Sequence, residues 1–90
     1  MTIAFLGDSI TQGAKLEDAN TEAFAALVGK ELGDGYVVGN FGKSATSALS
    51  SAKKPYIAAP QYEKALGFDA DILHIMLGTN DIKNEIEKLL

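Results

Sequence analysis

Ninety residues fit one domain and leave no room for a second, since domains run from about 50 to 250 residues. Apolar side chains make up 47% of the chain and charged ones 22%, a balance that excludes a disordered segment and describes a globular one. Eight basic residues, all of them lysine, face twelve acidic ones for a net charge of −4; with no arginine fork for phosphate, no nucleic-acid partner is expected.

The chain begins MTIAFLGDS, which has neither the basic start nor the apolar run of about 7 to 15 residues that a secretion signal needs. Either the chain is cytoplasmic or a signal has been removed. Residues 2 to 6, TIAFL, predict a buried strand ended by Gly7. From Asn20 or Thr21, either of which can cap a helix, EAFAALVGKELG puts Phe24, Leu27, Val28 and Leu32 at helical spacing, with Gly33 as the stop. Tyr36 to Val38 favour a second strand that runs out at the glycines flanking Asn40 and Phe41. Lys43 to Ala59 is small and polar and reads as a loop with one helical turn. Pro60 then opens a short helix through Leu66. Asp71 to Leu77 is almost continuously apolar, interrupted by His74, and predicts a third strand covered on both faces and ended by Gly78. Ile82, Ile86, Leu89 and Leu90 keep helical spacing to the last residue, with Asp81 able to cap the start. No apolar run approaches the roughly 20 residues of a membrane helix, so no membrane partner is expected.

Strands separated by helices imply parallel pairing with right-handed crossovers. The expected fold is a three-layer α/β sandwich, flavodoxin-like, with the first strand central and order 2-1-3. Ligands bind such sheets beyond the carboxyl ends of the strands, where this chain carries GDSITQG, GNFGKSATS and GTND. All three polar turns should meet on one rim. A nucleotide-binding reading would need Gly-x-Gly-x-x-Gly after the first strand, which GDSITQG does not supply.

Read residue by residue, these turns have plain roles too. Asp8 can bond nearby amides, Gly7 can supply a turn, Thr11 and Thr79 can bond locally, and Asn80 and Asp81 can cap the last helix. Lys53 and Lys54 read as a solvated pair. Taken in order, however, Gly7, Asp8, Ser9, Ile10 and Thr11, then Asn40 to Ala45, then Gly78, Thr79, Asn80 and Asp81 resemble the three leading blocks of the SGNH or GDSL hydrolases, serine esterases and lipases of flavodoxin-like fold. The resemblance covers essentially the whole chain. It implies that Ser9 is a nucleophile toward an ester carbonyl. It also implies that the Ser9 amide, a second-block amide and the Asn80 side chain stabilise the negative oxygen of the tetrahedral intermediate, each such donor supplying about 2.7 to 4 kcal/mol. Ala45 stands where the family usually has glycine; its amide can serve if its dihedrals are ordinary, and Gly42 is the fallback. Gly7, Asp8, Gly42, Gly78 and Asp81 support these turns. The stretch KPYIAAPQYEKALGFDADILHIMLGTND is similar to members that deacetylate sugars, which makes a small acetyl ester the expected substrate.

The family's general base is a histidine in a DxxH motif near the carboxyl end, and that block is not found here: the one Asp-x-x-His in the chain, Asp71 to His74, falls in the predicted third strand. With no cysteine and one histidine, neither thiolate chemistry nor a metal or other cofactor is expected. That histidine, His74, lies four residues before Gly78, so its backbone should sit about 13 Å below the rim, whereas a base must come within about 3 Å of its proton. A core position with a hydrogen-bond partner is its expected role. Order 2-1-3 also leaves the apolar third strand at an edge, which invites association. The chain therefore reads as residues 1–90 of an incomplete hydrolase domain, inactive or nearly so alone. The alternative is a catalytically silent binding or assembly module whose third strand pairs with a second copy or a complementing chain.

Overall fold

The computed structural model describes residues 1–49 and 51–82. Among these residues the sheet has three parallel strands, β1 (Thr2–Gly7), β2 (Val37–Gly42) and β3 (Ile72–Met76), in the predicted order β2-β1-β3. Among the described residues the helices are α1 (Ser9–Gln12), α2 (Ala19–Glu22), α3 (Phe24–Leu32) and α4 (Pro60–Gly67), with one 3₁₀ turn at Tyr56–Ala58 and helical backbone again at 79–82. Among the described residues no helix is long and apolar enough to cross a membrane.

Alternation along β1 builds both halves of the core, as expected for a strand covered on two faces. Ile3 and Phe5 pack with Ala25, Phe24, Val28 and Val38 on the α3 side. Ala4 and Leu6 pack with Tyr56, Ala65, Phe41 and Phe68 on the α4 side. Register then fixes the rim: Gly7 lies opposite Gly42 of β2 and Met76 of β3. The three turns that follow the strands therefore leave the sheet at the same end.

Several local expectations are corrected. The first helical segment is two helices: the Asp18 side chain caps α2 by accepting from the Asn20 amide at 3.1 Å, and Glu22 reciprocates on the Asp18 amide at 3.1 Å. Ala23, extended at φ −62° and ψ 150°, separates α2 from α3. The buried face of α3 centres on Ala25, whereas Leu27 and Leu32 are exposed. β2 starts one residue later than expected and runs on through Asn40 and Phe41 to Gly42. GDSITQG holds the helical turn α1, which was not anticipated.

β3 is exposed at all five positions instead of covered on both faces. Among the described residues β1 is its only strand partner, so its apolar sequence reports what the strand could bury, not what is over it. His74 is likewise exposed. Its ring packs on Phe5 and Phe24, with centroids 5.3 and 5.9 Å away. No hydrogen bond to that ring occurs among the described residues.

Tyr56 anchors the long loop. It is 2% exposed, its hydroxyl donates to the Phe41 carbonyl, and burial pushes its pKa up to about 12. Because the folded pKa exceeds the unfolded value of about 10, the native state holds this proton more tightly. Its contribution to stability is thus complete below about pH 10 and falls as pH rises toward 12. Tyr56→Phe should cost about 1 kcal/mol at pH 7 by orphaning the carbonyl and should flatten the alkaline limb of a stability profile measured by urea unfolding.

Candidate active site

At the end of β1 the chain enters α1 directly. Asp8, 2% exposed, caps this helix with its carboxylate on the Ile10 amide at 3.1 Å. Ser9 is the first helical residue, a position whose N–H has no acceptor within the helix. Entry is tight because Gly7 has no side chain: a Cβ there would lie 2.2 Å from the Thr11 hydroxyl and 2.7 Å from the Met76 carbonyl. That Thr11 hydroxyl is buried without a hydrogen-bond partner among the described residues, contrary to the local bond expected of it. Steric fit explains it, since Thr11 is clamped beneath Gly7.

The first and second turns are tied by four hydrogen bonds. Lys43 N–H donates to the Gly7 carbonyl at 2.9 Å. Asn40 Nδ2 donates to the Thr11 carbonyl at 2.7 Å. Gln12 Oε1 accepts from both the Ser44 amide, at 2.6 Å, and the Ser44 hydroxyl, at 2.7 Å. Asn40 also folds back on its own strand, its Oδ1 accepting from the Gly42 amide at 3.0 Å.

The second and third turns are joined as closely. Asn80 Nδ2 donates to the Thr46 carbonyl at 2.9 Å, one residue beyond Ala45, and a primary amide retains a second N–H for another acceptor. The Asp81 carboxylate accepts from the Ala48 and Leu49 amides at 2.8 and 2.9 Å. Those bonds, Ala48 first, hold its carboxyl below the usual carboxylate range. Asp81 therefore does not cap the last helix. Residues 79–82 are helical, and the first turn starts from Gly78, whose carbonyl accepts from Ile82 N–H at 3.1 Å. Gly78 has φ 123°, a value that disfavours any side chain. Ile86, Leu89 and Leu90 lie outside the described residues.

Ala45 does not have ordinary dihedrals: its φ is 66°, in the left-handed region that glycine occupies freely and alanine only at about 1–2 kcal/mol. Among the described residues no hydrogen bond uses its amide, whereas the fallback amide of Gly42 is taken by Asn40. Ala45→Gly should relieve the strain, offset in part by glycine's greater unfolded freedom. A net gain of about 0.5–1 kcal/mol is expected, read as a thermal midpoint raised by roughly 2–8 °C.

Ser9, Ala45 and Asn80 thus stand on three turns that leave one end of the sheet and are bonded to one another. No hydrogen bond links the Ser9 side chain directly to Asn80 or to His74 among the described residues. His74 pairs in register with Phe5, two residues below Gly7. Sequence reasoning gave no role to Asn40, Gln12 or Tyr56. Asn40 had a signal, because asparagine commonly bonds the amide two residues ahead; Gln12 and Tyr56 had none.

The acetylxylan esterase of Xylanibacter ruminicola is 40% identical over 83 residues, which cover 92% of this chain and 17% of that protein. No solved structure matches the chain. The family model described as GDSL-like lipase/acylhydrolase matches residues 5–88, a span that takes in all three hydrogen-bonded turns. From β1 to the turn after β3, then, the chain belongs to the GDSL-like lipase/acylhydrolase family.

Proposed function

We propose that these residues supply the nucleophile and oxyanion half of a serine esterase acting on acetyl esters of carbohydrate. Carboxylic ester hydrolysis is the activity class of the family; the sugar acetate is drawn from the acetylxylan esterase relative, of which this chain spans 17%. Ser9 Oγ attacks the carbonyl carbon, and the oxygen that becomes negative is received by the amides of Ser9 and Ala45 and the free N–H of Asn80. The observation that carries this reading is the Asn80–Thr46 bond, which ties the third-turn amide to the backbone beside Ala45.

A serine hydroxyl needs a base to take its proton. His74 is placed midway down β3, against Phe5 and Phe24, and the Asp-x-x-His that it completes with Asp71 runs into that strand from the end of the sheet opposite the three turns, where the Asp71 carboxylate accepts from the Thr2 amide. The chain alone should therefore hydrolyse 4-nitrophenyl acetate feebly, and neither Ser9→Ala nor His74→Ala should change that rate much. Imidazole in solution supplies a base. It should then raise hydrolysis above the rate of imidazole with the Ser9→Ala chain, a difference that measures Ser9 alone. An imidazole-dependent rate identical in the two chains contradicts the nucleophile assignment, and robust unaided turnover lost in Ser9→Ala contradicts the missing base.

The exposure of all five β3 residues favours a second reading, an assembly module that pairs through this edge. Size-exclusion chromatography with light scattering decides it: a tight dimer supports pairing, and a monomer at high concentration speaks against it.

A further inference from the structure

The geometry points to a saccharide-binding subsite in the groove between α1, α2, α3 and β2, which would hold the hydroxyl-rich alcohol portion of the ester. This rests on the esterase reading for its substrate but on separate residues for its shape. The groove encloses about 410 Å³ and is lined by Gln12, Asn20, Asn40, Ala19, Ala26 and Val38 among others, within the range of about 300–1,000 Å³ of small-molecule sites.

Three features choose the occupant. Among the described residues no ionisable side chain lines the groove, so a neutral ligand suits it better than an anionic one in a chain of net charge −4. Its polar groups are amides. Gln12 commits Oε1 to Ser44 and leaves Nε2 without a partner among the described residues, and the exposed Asn20 side chain likewise has none. Amides of this kind both donate and accept, as sugar hydroxyls do. The small apolar side chains of Ala19, Ala26 and Val38 offer a surface for the C–H face of a ring.

Position ties the groove to the reaction. Gln12 follows Ser9 by three residues on α1, so the two side chains leave the same side of the helix about 5–6 Å apart. A sugar whose acetyl group reaches Ser9 would extend its ring and neighbouring units toward Gln12 and Asn20.

The test is binding of xylotriose, which carries no acetyl group, to the ¹⁵N-labelled 90-residue chain, followed by NMR. The expected result is a titration that shifts the side-chain amides of Gln12, Asn20 and Asn40. Asn20→Ala, at an exposed position, should weaken binding about threefold to tenfold for one lost hydrogen bond, and Ala26→Phe should abolish it by filling the groove. The Ser9→Ala chain should bind as tightly as the parent, so loss of the nucleophile assignment leaves this result standing. No shifts at millimolar xylotriose, or equal affinity in Asn20→Ala and Ala26→Phe, overturns the subsite.

Discussion

Gly42→Ala is expected to cost about 3 kcal/mol or more, the upper end of what overpacking produces. An added Cβ would lie 2.3 Å from Gln12 N, 2.7 Å from Gln12 Cα and 2.8 Å from Thr11 C. All three are backbone atoms, so no rotamer change relieves the clash. The backbone of α1 would have to lift from the end of β2, breaking the bonds from Asn40 to the Thr11 carbonyl and from Ser44 to Gln12. For a domain of this size each kcal/mol moves the thermal midpoint by about 4–8 °C, so a drop of at least about 12 °C is expected by circular dichroism. A midpoint within 3 °C of the parent, about half a kcal/mol, contradicts the close approach of these two turns.

Asn80→Ala is the other large effect, and it falls on rate. Removal of one side-chain oxyanion donor costs about 10²–10³ in turnover, and the Ser9-dependent, imidazole-assisted hydrolysis should fall by that factor. Stability should fall far less. The Thr46 carbonyl loses one partner, about 1 kcal/mol, while Asp81 still holds Ala48 and Leu49. Stability lost with the rate unchanged would make Asn80 a bracket for the loop and nothing more.

How much of this could be read from the sequence depends on what kind of force sets each feature. Strand order was legible because TIAFL and ILHIM are apolar runs parted by helical periodicity, and right-handed crossovers leave little choice. The break at Ala23 was not. Alanine is the best helix former, and no local preference places an extended residue there. Ala23 is 1% exposed and lies against Gly13, where an added Cβ would sit 3.1 Å from its own, a tertiary contact that no local preference reports. Exposure of β3 was equally illegible, since apolar residues report capacity for burial and not its presence. At the site, GDSIT and GTND carried the family resemblance from which the roles of Ser9 and Asn80 are proposed. The left-handed φ of Ala45 could not be seen, because it belongs to the backbone path between Lys43 and Thr46. Nor could the pairing of Gln12 with Ser44, which lie 32 residues apart.

A boronic acid in imidazole buffer tests the meeting of the three donors most directly, because boron adds the Ser9 oxygen, whose proton passes to imidazole, and becomes a tetrahedral anion with an oxygen placed as the reaction's oxyanion would be. Phenylboronic acid titrated into the ¹⁵N-labelled chain should shift the Ser9 amide, the Ala45 amide and the Asn80 side-chain amide with one common affinity, and Ser9→Ala should erase all three shifts. Shifts at Ser9 without Ala45 and Asn80, or shifts that persist in Ser9→Ala, would contradict the account.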